Sequence, residues 1–354
     1  MIERVDAALE EQPKPENGEE GAIGDISLER RFFKPQTLIS FLVAFAIIYF
    51  LLTKINIDFG QTFQRVKGAN PLFYLLALLV FYVSFLVRGW RWQVLLRNVG
   101  FRQRHGVRLP ALGGLVEIVL LSWFANCIMP AKLGDAYRGY LLKKSAGVSF
   151  SKTMGTVVAE RMVDTVMLFV LMALAGLRVF HGTVPDAFAS MLIAGAVLVF
   201  VILFAFVVMI RFSAAVKFLV PQRFKPMYHR FHEGTFLSFQ NMPLIVVLSG
   251  AVWLSEAGRL WFVLAAMGVP NVGLSVVLFV ALAGSLLTTL PFTPAGLGVV
   301  ESALIGLFIL LGSLGIVQGV DEVMAASIAV LDRLISYWSL VFIGFLVYVI
   351  SRKR

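Results

Sequence analysis

Apolar residues in this chain collect into long runs that are interrupted by short basic segments. The runs approach the roughly 20 residues that cross a hydrocarbon layer about 30 Å thick. They predict spans at residues 38–52, 71–96, 157–177, 189–210, 244–267 and 324–350. Two further regions, 110–151 and 272–313, have an apolar arm, a Pro/Gly-rich break and a second arm. A full crossing by the first region would put Lys143, Lys144 and Lys152 outside, against the positive-inside rule. Reading it as a hairpin that enters and leaves on the cytoplasmic side removes that conflict. The second region then enters and leaves on the outer face, where Asp321 and Glu322 follow. Irregular backbone at membrane depth survives only when protein shields it or when it lines a watery cavity, so both hairpins belong inside the bundle. The expected fold is an all-α polytopic membrane protein, with about six full transmembrane helices plus two re-entrant helical hairpins.

The two breaks echo each other: Pro130-Ala131-Lys132-Leu133-Gly134 and Pro294-Ala295-Gly296-Leu297-Gly298. Ser84, Arg88 and Trp90 precede the first, and Ser255, Arg259 and Trp261 precede the second at the same spacing. Glu160-Arg161 follows the first break, as Asp332-Arg333 follows the second. Helix, hairpin, helix is thus written twice, over about 71–177 and 244–350. The loop charges run the copies in opposite directions, an inverted-repeat arrangement in which broken helices meet near the midplane.

Composition agrees with the pattern. Hydrophobic residues make up 59% of the chain and charged residues 15%, against about 25% charged in a soluble domain. The net charge of +10 hides an asymmetry. Residues 1–29 carry nine acids against Arg4 and Lys14, so the remainder is about +17 by difference. Residues 1–34 are expected to be a disordered acidic cytoplasmic tail, and 35–354 a single membrane domain. The basic residues flank apolar runs, which reads as membrane topology and not as nucleic-acid binding. They place both termini in the cytoplasm. Between 212 and 241, basic and aromatic residues interleave as in a segment lying on the cytoplasmic surface. One cysteine, Cys127, and four scattered histidines offer no metal-ligand cluster, and no cofactor is expected.

Charge inside the apolar segments is the sharpest chemical signal. A central Arg or Asp costs roughly 2.5–3.5 kcal/mol on insertion scales, so such residues face the bundle interior and are paired. The set comprises Arg88, Glu160, Arg161, Asp164, Arg259, Asp332 and Arg333, with Glu117, Glu256 and Glu301. Glu160 and Asp164 share a helical face at i, i+4. Arginine grips phosphate oxygens bidentately and stays protonated, so these arginines are candidates to hold an anionic headgroup. Asn126, Lys132, Asp135 and Arg138 surround the first hairpin tip, at Pro130 and Gly134. Thr288, Thr289 and Thr293 supply hydroxyls at the second, where Pro291 and Pro294 interrupt the helix and Gly296 and Gly298 admit close backbone approach. Structural ion pairing is the plainer reading of the same charges.

In combination these motifs are recognisable. Asn126-x-x-x-Pro130 with Gly134 and Arg138, then Glu160-Arg161-x-x-Asp164, leads to Leu290-Pro291-x-x-Pro294-Ala295-Gly296-Leu297-Gly298-x-x-Glu301 and Asp332-Arg333 with Tyr337-Trp338. The pattern resembles the lysylphosphatidylglycerol synthase transmembrane-region family, the flippase-like superfamily that contains the flippase half of the bifunctional multiple-peptide-resistance factor. The resemblance covers about residues 35–350 and implies an inner-membrane protein of lipid translocation or envelope-lipid metabolism. The bifunctional members continue into a soluble aminoacyl-transferring domain, whereas this sequence ends at Arg354, so the transport portion alone is expected. The resulting expectation is a flippase for a lipid with an anionic or phosphate-containing headgroup, with membrane lipids and a separate lipid-modifying enzyme as partners. The alternatives are a membrane enzyme acting on a lipid phosphate or a polyprenyl-phosphate-linked sugar, and an accessory subunit of an envelope-lipid complex.

Overall fold

The computed structural model describes residues 39, 41–43, 46, 49, 59–101, 107–129, 132–180, 185–211, 220–269, 271–289 and 293–351. The predicted span at 38–52 lies largely outside the described residues, as do Pro130 and Pro291. Among the described residues every regular element is helical.

A short helix α1 (Phe59–Lys67) precedes α2 (Pro71–Asn98). Asn70 caps α2, its side chain accepting from the Leu72 N–H at 2.9 Å, and Pro71 sits at the first turn, where its missing N–H costs nothing. The first helix–break–helix unit is α3 (Leu112–Ile128) and α4 (Leu133–Ala146), whose arms pack on each other. Then come α5 (Phe150–Val179), α6 (Asp186–Arg211), α7 (Lys225–Leu237) and α8 (Met242–Ala266). The second unit is α9 (Leu274–Thr289), a turn of 3₁₀ helix at Pro294–Gly296, and α10 (Val299–Ser313). The last helical stretch is α11 (Glu322–Arg333), a π-helical segment at Leu334–Ser339, and α12 (Leu340–Ile350). Single π-helical turns inside α-helices are frequent at functional sites, and this one follows Asp332-Arg333 directly.

Among the described residues, six helical stretches are long and apolar enough to cross a membrane: Pro71–Asn98, Phe150–Val179, Phe188–Met209, Met242–Ala266, Pro294–Ser313 and Glu322–Ile350. Five coincide with predicted spans. The stretch Pro294–Ser313 was expected as a hairpin arm. Its continuous α-helix, α10, has 15 residues, because Ala295 (φ 46°) and Gly298 (φ 83°) interrupt the chain before it. At 1.5 Å per residue that is about 22 Å, short of the hydrocarbon thickness.

The bundle is apolar outside and charged inside. Leu72, Leu75 and Leu79 on α2, Ile193, Phe200 and Phe204 on α6, and Phe342 and Phe345 on α12 are exposed, while Arg88, Arg91 and Arg138 are buried. Water would reward the reverse; lipid rewards this arrangement. α2 and α8 run antiparallel along each other. The N–H of Asn70, before α2, bonds the carbonyl of Ala266 at the end of α8 at 2.8 Å. At the other end Asn98 bonds the carbonyls of Ser238 and Gln240, just before α8. Each helix–break–helix unit also packs on the last long helix of the opposite half: α3 on α12, where Gly344 lies against Phe124, and α9 on α5.

One expectation needs correcting. The third span begins at Phe150, not near 157, so Lys152 is not a loop residue: it is buried in α5 and bonds Glu233 at 2.8 Å. Segment 212–241 was expected to lie on the cytoplasmic surface. Its residues 212–219 lie outside the described residues, but α7 docks on α5 where Gly155 and Gly234 meet. A Cβ on Gly234 would come within 2.2 Å of the Lys152 carbonyl, so only small residues allow this crossing.

Candidate functional site

Two acid–arginine pairs organise the interior. In α5, Glu160 and Asp164 lie one turn apart and both hold Arg91 of α2. Arg91 Nη2 donates to Glu160 Oε1 at 2.8 Å and to Asp164 Oδ2 at 2.9 Å. Its Nη1 donates to Asp164 Oδ1 at 2.5 Å and to Ser249 Oγ of α8 at 2.7 Å. Glu160 takes a second arginine, Arg138 of α4, at 2.6 Å, and that guanidinium lies 4.0 Å over the Trp92 ring. Arg161 points the other way and forks onto Asp135 in the first turn of α4, at 2.9 and 2.8 Å.

In α11 the arrangement recurs. Asp332 pairs with Arg259 of α8. Arg259 also reaches Glu256 at 3.0 Å, and Glu256 takes Arg88 of α2 at 2.6 Å. Arg333 holds Glu301 in the first turn of α10 at 2.8 Å and donates to the Ala295 carbonyl at 3.2 Å. In both halves the acid of the pair binds an arginine on the long helix before the break. The arginine of the pair binds a carboxylate just after it. Removing one partner from such a buried pair leaves an uncompensated charge in a medium that solvates it poorly.

The breaks themselves are built alike. The Gly134 N–H donates to Asn126 Oδ1 at 2.9 Å, and the Gly298 N–H donates to Glu301 Oε2 at 2.7 Å. Lys132 has φ 53° and ψ 35°, and Gly296, at the matching place in the echoed pentapeptide, has φ 71°. The left-handed conformation is open to glycine but costs a lysine about 1–3 kcal/mol.

Between the two networks lies a cavity of about 450 Å³. Arg88, Lys132, Arg161, Arg259 and Arg333 reach its wall, as do Asp135, Asp164, Glu256 and Asp332. Both breaks border it, through Lys132 on one side and Thr293 and Ala295 on the other. Leu198 and Ile202 of α6 form part of the wall, and the opposite side of that helix is exposed. Trp253 Nε1, Thr293 Oγ1 and Arg259 Nε are buried without a hydrogen-bond partner among the described residues, and all three residues line the cavity.

Of the residues singled out from sequence, the structure brings Arg88, Asn126, Arg161, Asp164, Arg259, Thr293, Asp332 and Arg333 to this one wall. Glu160, Arg138 and Glu301 stand behind it as partners of wall residues or of each other. Gly134, Pro294, Gly296 and Gly298 shape the breaks without lining the cavity. A Cβ on Gly296 would meet Val300 at 2.7 Å. Glu117 does not join the set: it accepts from Ser351 Oγ at 2.6 Å, beyond the end of α12. Thr288 lines the wall, its hydroxyl turned to the Ser285 carbonyl at 2.6 Å. Sequence reasoning passed over Arg91, the most fully engaged arginine of the first network. Arg91 lies three residues after Arg88 on the same helical face, but its place near a basic helix end let it pass for an interfacial residue. The echo that matched Arg88 with Arg259 is likewise shifted: by its bonds, Arg91 is the counterpart of Arg259.

Comparisons with known proteins agree with this architecture. The family described as "Lysylphosphatidylglycerol synthase TM region" matches residues 37–344. A UPF0104 membrane protein of Methanocaldococcus jannaschii is 32% identical over 235 residues, covering 65% of this chain and 95% of that protein. Another UPF0104 membrane protein, from Pyrococcus horikoshii, is 25% identical over 324 residues, covering 83% of this chain and 91% of its own. The protein named glycosyltransferase AglD of Haloferax volcanii is 25% identical over 152 residues, 43% of this chain and 22% of that one. This chain is a multi-pass integral membrane protein that belongs to the lysylphosphatidylglycerol synthase transmembrane-region family.

Proposed function

We propose that this protein is a lipid transporter, which passes a lipid with an anionic or phosphate-containing headgroup across the cell's inner membrane through the cavity between its two breaks. The observation that carries the reading is the cavity itself. Charged side chains are set into its largely apolar wall, it is bordered by both breaks in the helices, and it sits in a bundle whose outer surface is apolar. A structural ion pair needs no cavity beside it, whereas a headgroup does.

In this reading residues 71–177 and 244–350 are inverted copies, and each helix–break–helix unit is a re-entrant hairpin. Three facts support it. The proposed equivalents α2 and α8 run antiparallel. The reciprocal packing of α3 on α12 and of α9 on α5 is what a two-fold relation between the copies requires. The same ion-pair scheme serves both halves. Both termini face the cytoplasm, and the acidic tail of residues 1–34 precedes a single membrane domain. The charged wall residues hold the two hairpins in place and surround the headgroup in transit. A pair of related half-sites facing opposite leaflets is the geometry that alternating access uses.

A second reading, an enzyme acting on a lipid-linked sugar or lipid phosphate, draws on the glycosyltransferase name of one partial relative. One experiment separates the two. Purified protein is sealed into liposomes with labelled anionic, zwitterionic and polyprenyl-phosphate lipids, and headgroup accessibility is followed over time. Transfer of one lipid class, lost in Arg161→Gln and Arg333→Gln, supports transport. Chemical change of a lipid without transfer supports the enzyme. Equal transfer by protein-free liposomes removes the transport reading.

A further inference from the structure

We propose that Lys132 is the residue of this cavity that recognises charge. It binds an anionic phosphate group of the lipid, with Trp253 Nε1 and Thr293 Oγ1 as neutral donors. That the ligand is a lipid rests on the transport reading above; the site itself does not.

The arginines that line the cavity are already engaged. Arg88 is held by Glu256, Arg161 by Asp135, Arg259 by Asp332 and Glu256, and Arg333 by Glu301. A ligand that took one of them would strand a carboxylate in low dielectric. Lys132 differs. It lines the same cavity and makes no ion pair among the described residues, since the nearby Asp135 is occupied by Arg161. Among the described cations of the wall it is the one left over when the pairs are closed.

Its backbone points the same way. Lys132 is held at φ 53°, where the matching position of the second break carries Gly296. A glycine there would relax the chain, so a lysine kept against that strain is explained by its side chain. Two further residues that line the same cavity carry donors without partners among the described residues. Thr293 is 4% exposed and Trp253 is 9% exposed, and each has a polar atom with nothing to bond. Buried donors are left unsatisfied at a cost unless a ligand completes them. A phosphate oxygen accepts from an ammonium, an indole N–H and a hydroxyl alike. The lipid source follows from the wall: Leu198 and Ile202 carry the cavity to α6, whose outer side, with Ile193 and Phe200 exposed, borders the hydrocarbon.

The test is binding to detergent-purified full-length protein, read by tryptophan fluorescence and by a separation-based assay. The probes are short-chain phosphatidylglycerol, the uncharged short-chain diacylglycerol, and inorganic phosphate. Lys132→Gln is expected to weaken phosphatidylglycerol binding by about tenfold or more, the worth of one charge-assisted hydrogen bond. Lys132→Arg retains it, and diacylglycerol binding is unchanged in both. Lys132→Gly separates recognition from structure: its melting temperature stays level or rises as the backbone relaxes, while phosphatidylglycerol binding falls. Wild-type affinity in Lys132→Gln overturns the proposal, and displacement of the lipid by an equal concentration of inorganic phosphate overturns its lipid source. Lys132-dependent binding in a protein that moves no lipid removes the transport reading and keeps this site. Lipid transfer with Lys132-independent binding does the opposite.

Discussion

Replacing Arg91 with methionine removes the guanidinium that joins α2, α5 and α8. Arg91 is 1% exposed and makes four hydrogen bonds, to Glu160, to both oxygens of Asp164 and to Ser249. Glu160 keeps Arg138 after the change, at 2.6 Å. Asp164 loses the only ion-pair partner it has among the described residues. Breaking a buried pair from one side costs about 3–5 kcal/mol, roughly two to three and a half decades in the folding equilibrium. The measurement is reversible unfolding in mixed micelles, titrated with a denaturing detergent and followed by far-UV ellipticity. The double variant Arg91→Met, Asp164→Leu should recover most of the loss, because exchanging both partners for apolar groups leaves no orphaned charge. A loss below about 1 kcal/mol in the single variant, the range of exposed pairs, would refute the reasoning, for it would mean that water or a mobile counter-charge reaches Asp164.

Gly234→Ala places a methyl group within 2.2 Å of the Lys152 carbonyl, so α7 must withdraw from α5; we expect a loss of about 1–3 kcal/mol in the same titration, and an unchanged midpoint would deny the glycine crossing. Gly298→Ala forces a side chain onto φ 83° and ψ −44° at the start of α10, with about 1–3 kcal/mol of strain at the second break; lipid transfer in proteoliposomes should slow, and an undiminished rate would remove the break from the transport path. Arg65→Ala deletes the ion pair to Asp321, whose side chains are 34% and 58% exposed, and should shift stability by less than about 1 kcal/mol, less still at high salt; a larger shift would mean that α1 depends on this contact for its docking.

The fold was legible where hydropathy alone decides. Five predicted spans stand as α2, α5, α6, α8 and the α11–α12 stretch, because apolar length fixes a lipid-crossing helix with little help from its neighbours. The two breaks were legible for a different reason: Pro294 followed by Gly296 and Gly298 has few helical options. Boundaries set by packing were not. Lys152 reads as a loop residue until Glu233, 81 positions later, is brought to it. The π-helical segment after Arg333 has no signature in the sequence, since it answers to contacts such as Tyr337 Oη donating to the Cys127 carbonyl at 3.1 Å. In the site, the intramembrane charges announced themselves, but their pairings did not. Glu256 joins Arg88 to Arg259 across two helices, and only the antiparallel register of α2 and α8 could have said so. The unpartnered Trp253 and Thr293 donors were likewise invisible, because a missing partner is a property of the packed cavity and not of the residue.

In the transport reading, lipid passes through the cavity between the breaks. Cys127, the one cysteine of the chain, is buried, so a Cys127→Ala background clears the field for a placed thiol. Ser285→Cys puts one on the cavity wall, and Ile193→Cys puts one on the exposed side of α6. Both are reconstituted, treated with a bulky thiol reagent to matched labelling, and assayed for transfer of the lipid class that wild type moves. Labelling Ser285→Cys is expected to stop transfer, and labelling Ile193→Cys to leave it intact. Transfer at the unlabelled rate through labelled Ser285→Cys would contradict passage through the cavity.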